Sequence, residues 1–485
     1  MRNFVIICLL LLFPMYAVPQ RAPAVEVRAA WITTNWGLDW PTIGAGVEAQ
    51  KEELRNILNQ LQAENFNVVL FQARAQGGVF YRSQIEPMSN FFSHEGNFDP
   101  LAFAIQECHS RGLECHAWLT TYPMDKIETE FTGTTWKKKT ATSMSKPDYY
   151  KPVDDRWYLD PGRPETKNLI VSLVKEIVSN YDVDGIHFDY IRYPGYPSDF
   201  PDQDSYSMYG NGKSLQDWRR DNITQLVTDV YDNAKAIKKW VQISSSPLGR
   251  YKILPEVSRN DGWTAYETVF QDAGYWMQSG KHDLVFPMMY HRKRYFDPFL
   301  DDWIANSNDR IVVPGLGVFQ MDEQKWTLQD ILGQMDYIRS NHVQGQAFFR
   351  AGNILNNLKG IREAIGSYYT TPAKLPPLTW LDNTIPNSPV NLRVFRTDNN
   401  TLNLKWDAPD STKTYSYTVY ASFTEKIDLN NPNYIVATGL RQNSYSFPMS
   451  VGNFGVYYFV TASDRYHNES TISPAEFFVH MDGEK

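Results

Sequence analysis

Residues 164–189 read PETKNLIVSLVKEIVSNYDVDGIHFD. From Glu165 to Tyr181 the apolar side chains fall at helical spacing, and Pro164 opens the segment at a position where its missing N–H costs nothing. A strand pattern, Gly185 to Asp189, follows at once. The same unit of apolar strand and amphipathic helix repeats from Val27 to about Gly366. The other expected strands are 27–32, 68–72, 113–118, 241–246, 284–289, 311–316 and 345–349. Helical patterns over 51–64, 100–111, 214–239 and 327–341 lie between them, and Gly112 is placed to end the second. Eight strands, each followed by a helix, predict an α/β fold of the closed (β/α)8 TIM-barrel type over residues 25–368. An open doubly wound sheet would carry a glycine-rich phosphate turn after its first strand. Trp31-Ile32-Thr33-Thr34-Asn35-Trp36 is no such turn.

Outside the barrel the pattern changes twice. Met1-Arg2-Asn3, an apolar run from Phe4 to Phe13, Pro14 and small residues around Ala17 have the order of a secretory signal peptide, expected over 1–22. The run is shorter than the roughly 20 residues a permanent bilayer span needs, and no second run follows. Cys8 lies within the apolar run rather than after a small-residue box, which argues against a lipid anchor. The expected location is therefore secreted, periplasmic or cell surface, without a transmembrane segment. Two cysteines remain, Cys108 and Cys115. They are too few for a zinc cluster, and their helix-to-strand placement favours free, buried thiols over a disulfide. Thr371 to Pro377 reads as a stiff, proline-rich linker within 369–384. From 385 to 482 short alternating strands such as 402–406, 415–420 and 457–462 predict an immunoglobulin-like β-sandwich. With Trp406 in its core and Tyr457 on a late strand it resembles a fibronectin type III domain, expected as a spacer or attachment module.

Composition narrows the function. Of 485 residues, 47 are Lys or Arg and 55 are Asp or Glu, a formal net charge of −8 without a basic run longer than Lys137-Lys138-Lys139. A nucleic-acid binder would show a basic stripe, so that partner is excluded. Aromatics make up 14% and many sit near Gly and Pro in loops. Their broad apolar faces suit the C–H faces of sugars. A polysaccharide or oligosaccharide is the expected partner, the chain is expected to act as a monomer, and no cofactor is implied.

A barrel of this kind places its chemistry at the C-terminal ends of its strands. In Asp184-Gly185-Ile186-His187-Phe188-Asp189 the two-residue pleat puts His187 and Asp189 on one face, with Asp189 at the mouth. A carboxylate there needs partners or a task, since burying it alone is costly. Glycoside hydrolysis uses two carboxyl groups, about 5–5.5 Å apart for retention and about 6.5–9.5 Å for inversion. Asp189 is assigned as nucleophile or transition-state stabiliser. No acid ends strands five to eight, so the acid/base must come from a loop. Glu86, beside Phe80 and Tyr81 on the long connection after the second strand, is the first choice, ahead of Glu95, Asp125 and Asp160. Trp31, Trp36, Trp118, Tyr122 and Tyr290 are candidate stacking platforms. Arg74, His116, His187, Arg192 and Arg350 are placed to bind sugar hydroxyls or to hold Asp189. A metal site from His116, His187 and Asp189 lacks a His-x-His pair or an acid cluster and is not expected.

The segment from Asp184 to Gly195 (DGIHFDYIRYPG) resembles the signature of the bacterial glycosyl-hydrolase-like family 10. Arg28 to Trp31, Phe71 to Arg74, Phe98 to Leu101, Gly112 to Trp118, Leu159 to Gly162, Ser246 to Gly249 and Pro287 to Tyr290 agree in the same order. The resemblance implies a secreted TIM-barrel glycosidase acting on a polysaccharide, and some relatives are linked to peptidoglycan strands stripped of their peptides. Three departures stand out. An acid that many relatives carry after the Arg74 position is absent, with Ala75 and Gly78 there. Leu119-Thr120-Thr121-Tyr122 replaces Phe-Asn-Pro-Tyr, and Tyr190 stands where some relatives have a second Asp. The expected activity is thus hydrolysis of O-glycosidic bonds by two carboxyl groups. A glycan-binding protein without catalysis and a metal-dependent deacetylase or hydrolase of cell-wall polysaccharide are the alternatives.

Overall fold

The computed structural model describes residues 22–480, apart from 127–128, 133–134, 139–146, 196–199, 258–261, 398–400, 409–413 and 449–453. The expected signal peptide lies almost wholly outside the described residues. Among those described, no helix is long and apolar enough to cross a membrane.

The barrel strands are β1 (Val27–Ile32), β2 (Val68–Ala75), β3 (Glu114–Thr120), β4 (Gly185–Asp189), β5 (Gln242–Ser245), β6 (Leu284–Val285), β7 and β8 (Gly345–Phe349). Strand β7 is split into Ile311–Val312 and Gly315–Gly317, at Pro314, whose ring nitrogen has no proton to give a sheet partner. Its first piece pairs with β6 and its second with β8, while β8 pairs with β1, so the parallel ring closes. The predicted (β/α)8 barrel is present.

Its helices are α1 (Val47–Ala63), α2 (Pro100–His109), α3 (Pro164–Asn180), α4 (Leu215–Ile237), α5 (Ala273–Gln278), α6 (Lys293–Ala305), α7 (Leu328–Ser340) and α8 (Ile361–Tyr368). Helix α3 buries Ile170, Leu173, Val174, Ile177 and Val178, one stripe at three- and four-residue spacing. Burial of each such side chain is worth about 1.5–3 kcal/mol. Ser214 caps α4 by accepting the Asp217 amide, and Thr327 with Asp330 forms a capping box on α7. Strand alternation divides the core. Val27, Ala29, Trp31, Val68 and Leu70 fill the barrel interior, and Ala30, Ile32, Val69 and Phe71 meet the helices.

The C-terminal strands are β9 (Val390–Arg396), β10 (Thr401–Asp407), β11 (Ser416–Ser422), β12 (Ile435–Leu440), β13 (Ser444–Pro448), β14 (Phe454–Ser463) and β15 (Glu476–His480). They form two antiparallel sheets, β9-β10-β13 and β12-β11-β14-β15. Leu402, Leu404 and Trp406 of one sheet share a core with Tyr417, Val419 and Tyr458 of the other.

This sandwich docks on the N-terminal end of the barrel strands. His467 Nε2 lies 2.6 Å from Glu114 Oε1, and Arg441 is 3.5 Å from Asp184 Oδ1. Gly112, at φ 72°, touches the sandwich so closely that a Cβ there would lie 2.5 Å from the Thr438 carbonyl oxygen. The linker is not the free stiff spacer its prolines suggested. Leu375, Leu378, Trp380 and Leu381 pack against the barrel interior and seal its lower end, because that end exposes apolar side chains that something must cover. Cys108 and Cys115 are free and buried.

Candidate active site

The C-terminal ends of the strands open into a cleft of about 560 Å³. Asp189 lies on its wall, 8% exposed. Oδ1 accepts the Tyr190 amide at 2.8 Å. Burial raises the affinity of this carboxyl for its proton above the ordinary aspartate range. The Tyr190 amide, the Arg192 guanidinium and the Ser246 and Trp118 side chains offset only part of that rise. Trp31, Trp36, Trp118 and Tyr290, expected as platforms, all line this cleft. A larger groove of about 710 Å³ runs between barrel and sandwich, but among the described residues no carboxylate lines it.

The other expected site residues are held elsewhere. Glu86 is bound by Arg74 in a bidentate pair, Nε to Oε2 at 2.6 Å and Nη2 to Oε1 at 2.7 Å, with both side chains buried. Arg74 also donates to the carbonyls of Thr120 and Thr121. The pair ties the connection after β2 to the end of β3, and neither residue lines the cleft. With both carboxyl oxygens held by Arg74 and the side chain outside the cleft, Glu86 is not placed to reach a substrate bound there, so the pairing of Glu86 with Asp189 as acid/base is corrected. Arg74 is likewise not a sugar contact.

Register explains the histidines. Strand β3 runs two residues further than expected, so Thr120 pairs with Asp189, Trp118 with His187 and His116 with Gly185. At about 3.3 Å per residue, His187 sits one layer and His116 two layers beneath the mouth. His187 Nε2 accepts the Trp31 indole N–H at 3.2 Å, and its Nδ1 faces the Ser244 hydroxyl at 3.0 Å. Both nitrogens are engaged, and burial holds the ring neutral. His116 bonds Glu114 at the opposite end of the barrel. Gly185 makes room for it, since a Cβ there would lie 2.4 Å from His116 Nδ1. Neither histidine reaches the cleft. Among the described residues, no three His, Cys, Asp or Glu side chains converge as metal ligands would.

Tyr122 is buried behind Tyr158, ring centroids 6.1 Å apart, and Tyr158 is the one that lines the cleft. Arg192 lies under the Tyr190 ring at 4.7 Å from its centroid. Arg350 is paired with the buried Asp39 carboxylate and donates to the Leu38 carbonyl at 2.7 Å. It anchors the loop after β1 instead of facing substrate.

The cleft also holds residues that sequence reasoning passed over. Asp154 and Asp155 form the tip of a hairpin joining Tyr150–Val153 to Arg156–Leu159, and both line the cleft, exposed, opposite a wall of aromatics. Two acids between alternating segments are a hairpin signal; that the hairpin folds over the barrel mouth is not written in it. Asp155 is 3.5 Å from Lys126 and 3.7 Å from Arg156. Asp160, buried, takes the Gly162 amide and the Ser205 hydroxyl at 2.8 and 2.6 Å and caps the approach to α3, its pKa pushed up to about 6 mainly by burial.

A profile of the glycosyl hydrolase-like 10 family matches residues 26–310, more than half of the chain. The chain belongs to that family. The matched region of this family member ends just before β7 and includes Asp189, the hairpin acids and the aromatic wall. Glycosyl hydrolase YngK of Bacillus subtilis (strain 168) is 29% identical over 476 residues, covering 92% of both chains. Glycosyl hydrolase DigH of Escherichia coli (strain K12) is 32% identical over 289 residues, 54% of this chain and 65% of that protein. The glycoside hydrolase domain of PgaB (BpsB) from Bordetella bronchiseptica superposes with a TM-score of 0.49 at 13% identity, over 71% of this chain and 98% of that one.

Proposed function

We propose that this member of the glycosyl hydrolase-like 10 family hydrolyses O-glycosidic bonds of a polysaccharide, with peptide-stripped peptidoglycan strands as the first substrate to try. The observation that carries the reading is Asp189, a buried carboxyl with raised proton affinity, set among tryptophan and tyrosine rings at the strand ends. A carboxyl whose proton affinity burial has raised is better suited than an ordinary aspartate to protonate the leaving glycosidic oxygen. The role of Asp189 therefore moves from nucleophile to general acid. As the C–O bond breaks, the departing sugar takes that proton. Water adds to the anomeric carbon and yields its own proton to a carboxylate, for which the exposed hairpin acids Asp154 and Asp155 are the available source. The two antiparallel sheets β9-β10-β13 and β12-β11-β14-β15 support reading the C-terminal module as fibronectin type III-like. We read that module as the barrel's lower cover, and the N-terminal segment as an export signal.

The test is Asp189→Asn assayed for release of reducing ends from peptide-stripped glycan strands, with circular dichroism to verify folding. Loss of release in a folded protein supports the reading, and release at the wild-type rate ends it. A second reading, glycan binding without turnover, is favoured by one feature: among the described residues, no second buried carboxyl lines the cleft beside Asp189. Wild-type protein that binds strands and releases no reducing ends would establish it.

A further inference from the structure

Two aromatic residues of the cleft adopt a backbone conformation that bulky side chains avoid. Trp36 has φ 59° and Tyr190 φ 51°, the left-handed region where Cβ crowds the following carbonyl oxygen. Burial does not repay them, because Trp36 is 47% and Tyr190 42% exposed. Each is instead held from behind. The Trp36 loop is strapped by Gln72, whose Oε1 accepts the Thr34 and Asn35 amides at 2.9 and 2.8 Å, and by Asp39, which accepts the Thr33 amide at 2.8 Å. The ring of Phe91 backs Trp36 at 5.5 Å. Tyr190 is pinned by its own amide on Asp189, with the Arg192 guanidinium behind its ring. Both rings line the cleft that contains Asp189.

Their places in the barrel set them apart. Trp36 follows β1 and Tyr190 follows β4, three positions away in a ring of eight strands, so they stand on well-separated parts of the rim. Strain kept at a cleft mouth, with the strained ring left half in solvent, calls for a ligand that uses the ring. We propose that Trp36 and Tyr190 are paired stacking platforms that grip pyranose rings on the two sides of the bond presented to Asp189. The substrate is then an extended glycan chain held internally, not a terminal sugar. This rests on the reading of the cleft as a carbohydrate site. It gives Tyr190 a specificity role.

Glycine accepts a positive φ without strain and retains the backbone amide that holds Asp189, so Tyr190→Gly and Trp36→Gly remove the rings alone. The assay is binding of peptide-stripped peptidoglycan strands to Asp189→Asn protein, which needs no turnover, with Tyr190→Gly, Trp36→Gly and Tyr190→Phe added to it. Each glycine variant is expected to weaken binding by about tenfold, the scale of one aromatic contact. Tyr190→Phe is expected to bind like its parent, and the melting temperatures of the glycine variants are expected not to fall. Glycine variants that bind strands as tightly as their parent overturn the proposal, as does a parent that binds no strand. Turnover by Asp189→Asn in the separate reducing-end assay would remove the hydrolytic reading instead, leaving the binding result to judge the platforms.

Discussion

Asp189 binds its proton more tightly in the folded chain than its ordinary value of 3.8 would give. A carboxyl with a raised folded value favours the fold fully below its unfolded value. That contribution is lost as pH rises through the folded one. Near neutral pH its ionised form therefore opposes folding. Asp189→Asn is expected to melt at a higher temperature than wild type at neutral pH, with the gap closing as pH falls through the folded value and gone below the ordinary one; melts across that range check it. Glu86→Gln makes the opposite case. It leaves the buried Arg74 guanidinium without its counter-charge, a loss of about 3–5 kcal/mol to be measured by urea unfolding. The folded remainder should retain its kcat. A collapsed kcat with stability intact would return Glu86 to the acid/base role. The sequence marked both acids as unusual. It could not show that Arg74, twelve positions earlier, faces Glu86 and takes it out of the chemistry.

At the scale of elements, periodicity was enough for α1, α2, α3, α4 and α7 and for Asp189 at the end of β4, while α5, α6 and α8 were not read from the sequence. Strand ends were harder. The sequence reading ended the third strand at Trp118, whereas pairing with β4 carries it to Thr120, and that two-residue difference removed His116 from the mouth; His187 lies two residues below Asp189 on β4, whose bounds are those expected. Leu119 and the threonines Thr120 and Thr121 that follow Trp118 suit strand and loop alike, so the boundary is fixed by the neighbouring strand. Register can be tested at Gly185. Gly185→Ala would push a methyl into the His116 ring and is expected to cost about 1–3 kcal/mol, read as a lower urea midpoint with unchanged slope. The hairpin bearing Asp154 and Asp155 was not read from the sequence, and its position over the cleft depends on the barrel beneath it.

Across the whole molecule, the lower cover has its own pH signature. Burial alone would lower the pKa of His467, yet the Glu114 carboxylate outweighs it and raises the value above 6.5. Burial would raise Glu114, and His467 with His116 instead hold it well below 4.5. The histidine term is complete below its ordinary value and fades as pH rises through the folded one. The glutamate term is present above its ordinary value and fades in acid. Docking should be firmest between those two ordinary values. His467→Ala is expected to lower the melting temperature in that window and to flatten its decline on the alkaline side, which melts of the full chain across pH will show. Asp184 and Arg441 face the same junction and keep their own pair in that variant.

The sequence by itself determined the local and the repetitive: helices from apolar stripes, strands from short apolar runs, the barrel from eight repeats, and Asp189 from its place at a strand end. These follow from contacts between residues a few positions apart. Only the tertiary structure decided which acids are free to act, that Glu86 is spent on Arg74, that a distant hairpin brings two carboxylates to the cleft, and that the linker seals the barrel. Those outcomes depend on which side chains meet across long separations, where charge and burial compete and the spacing of residues along the chain carries no record of the winner.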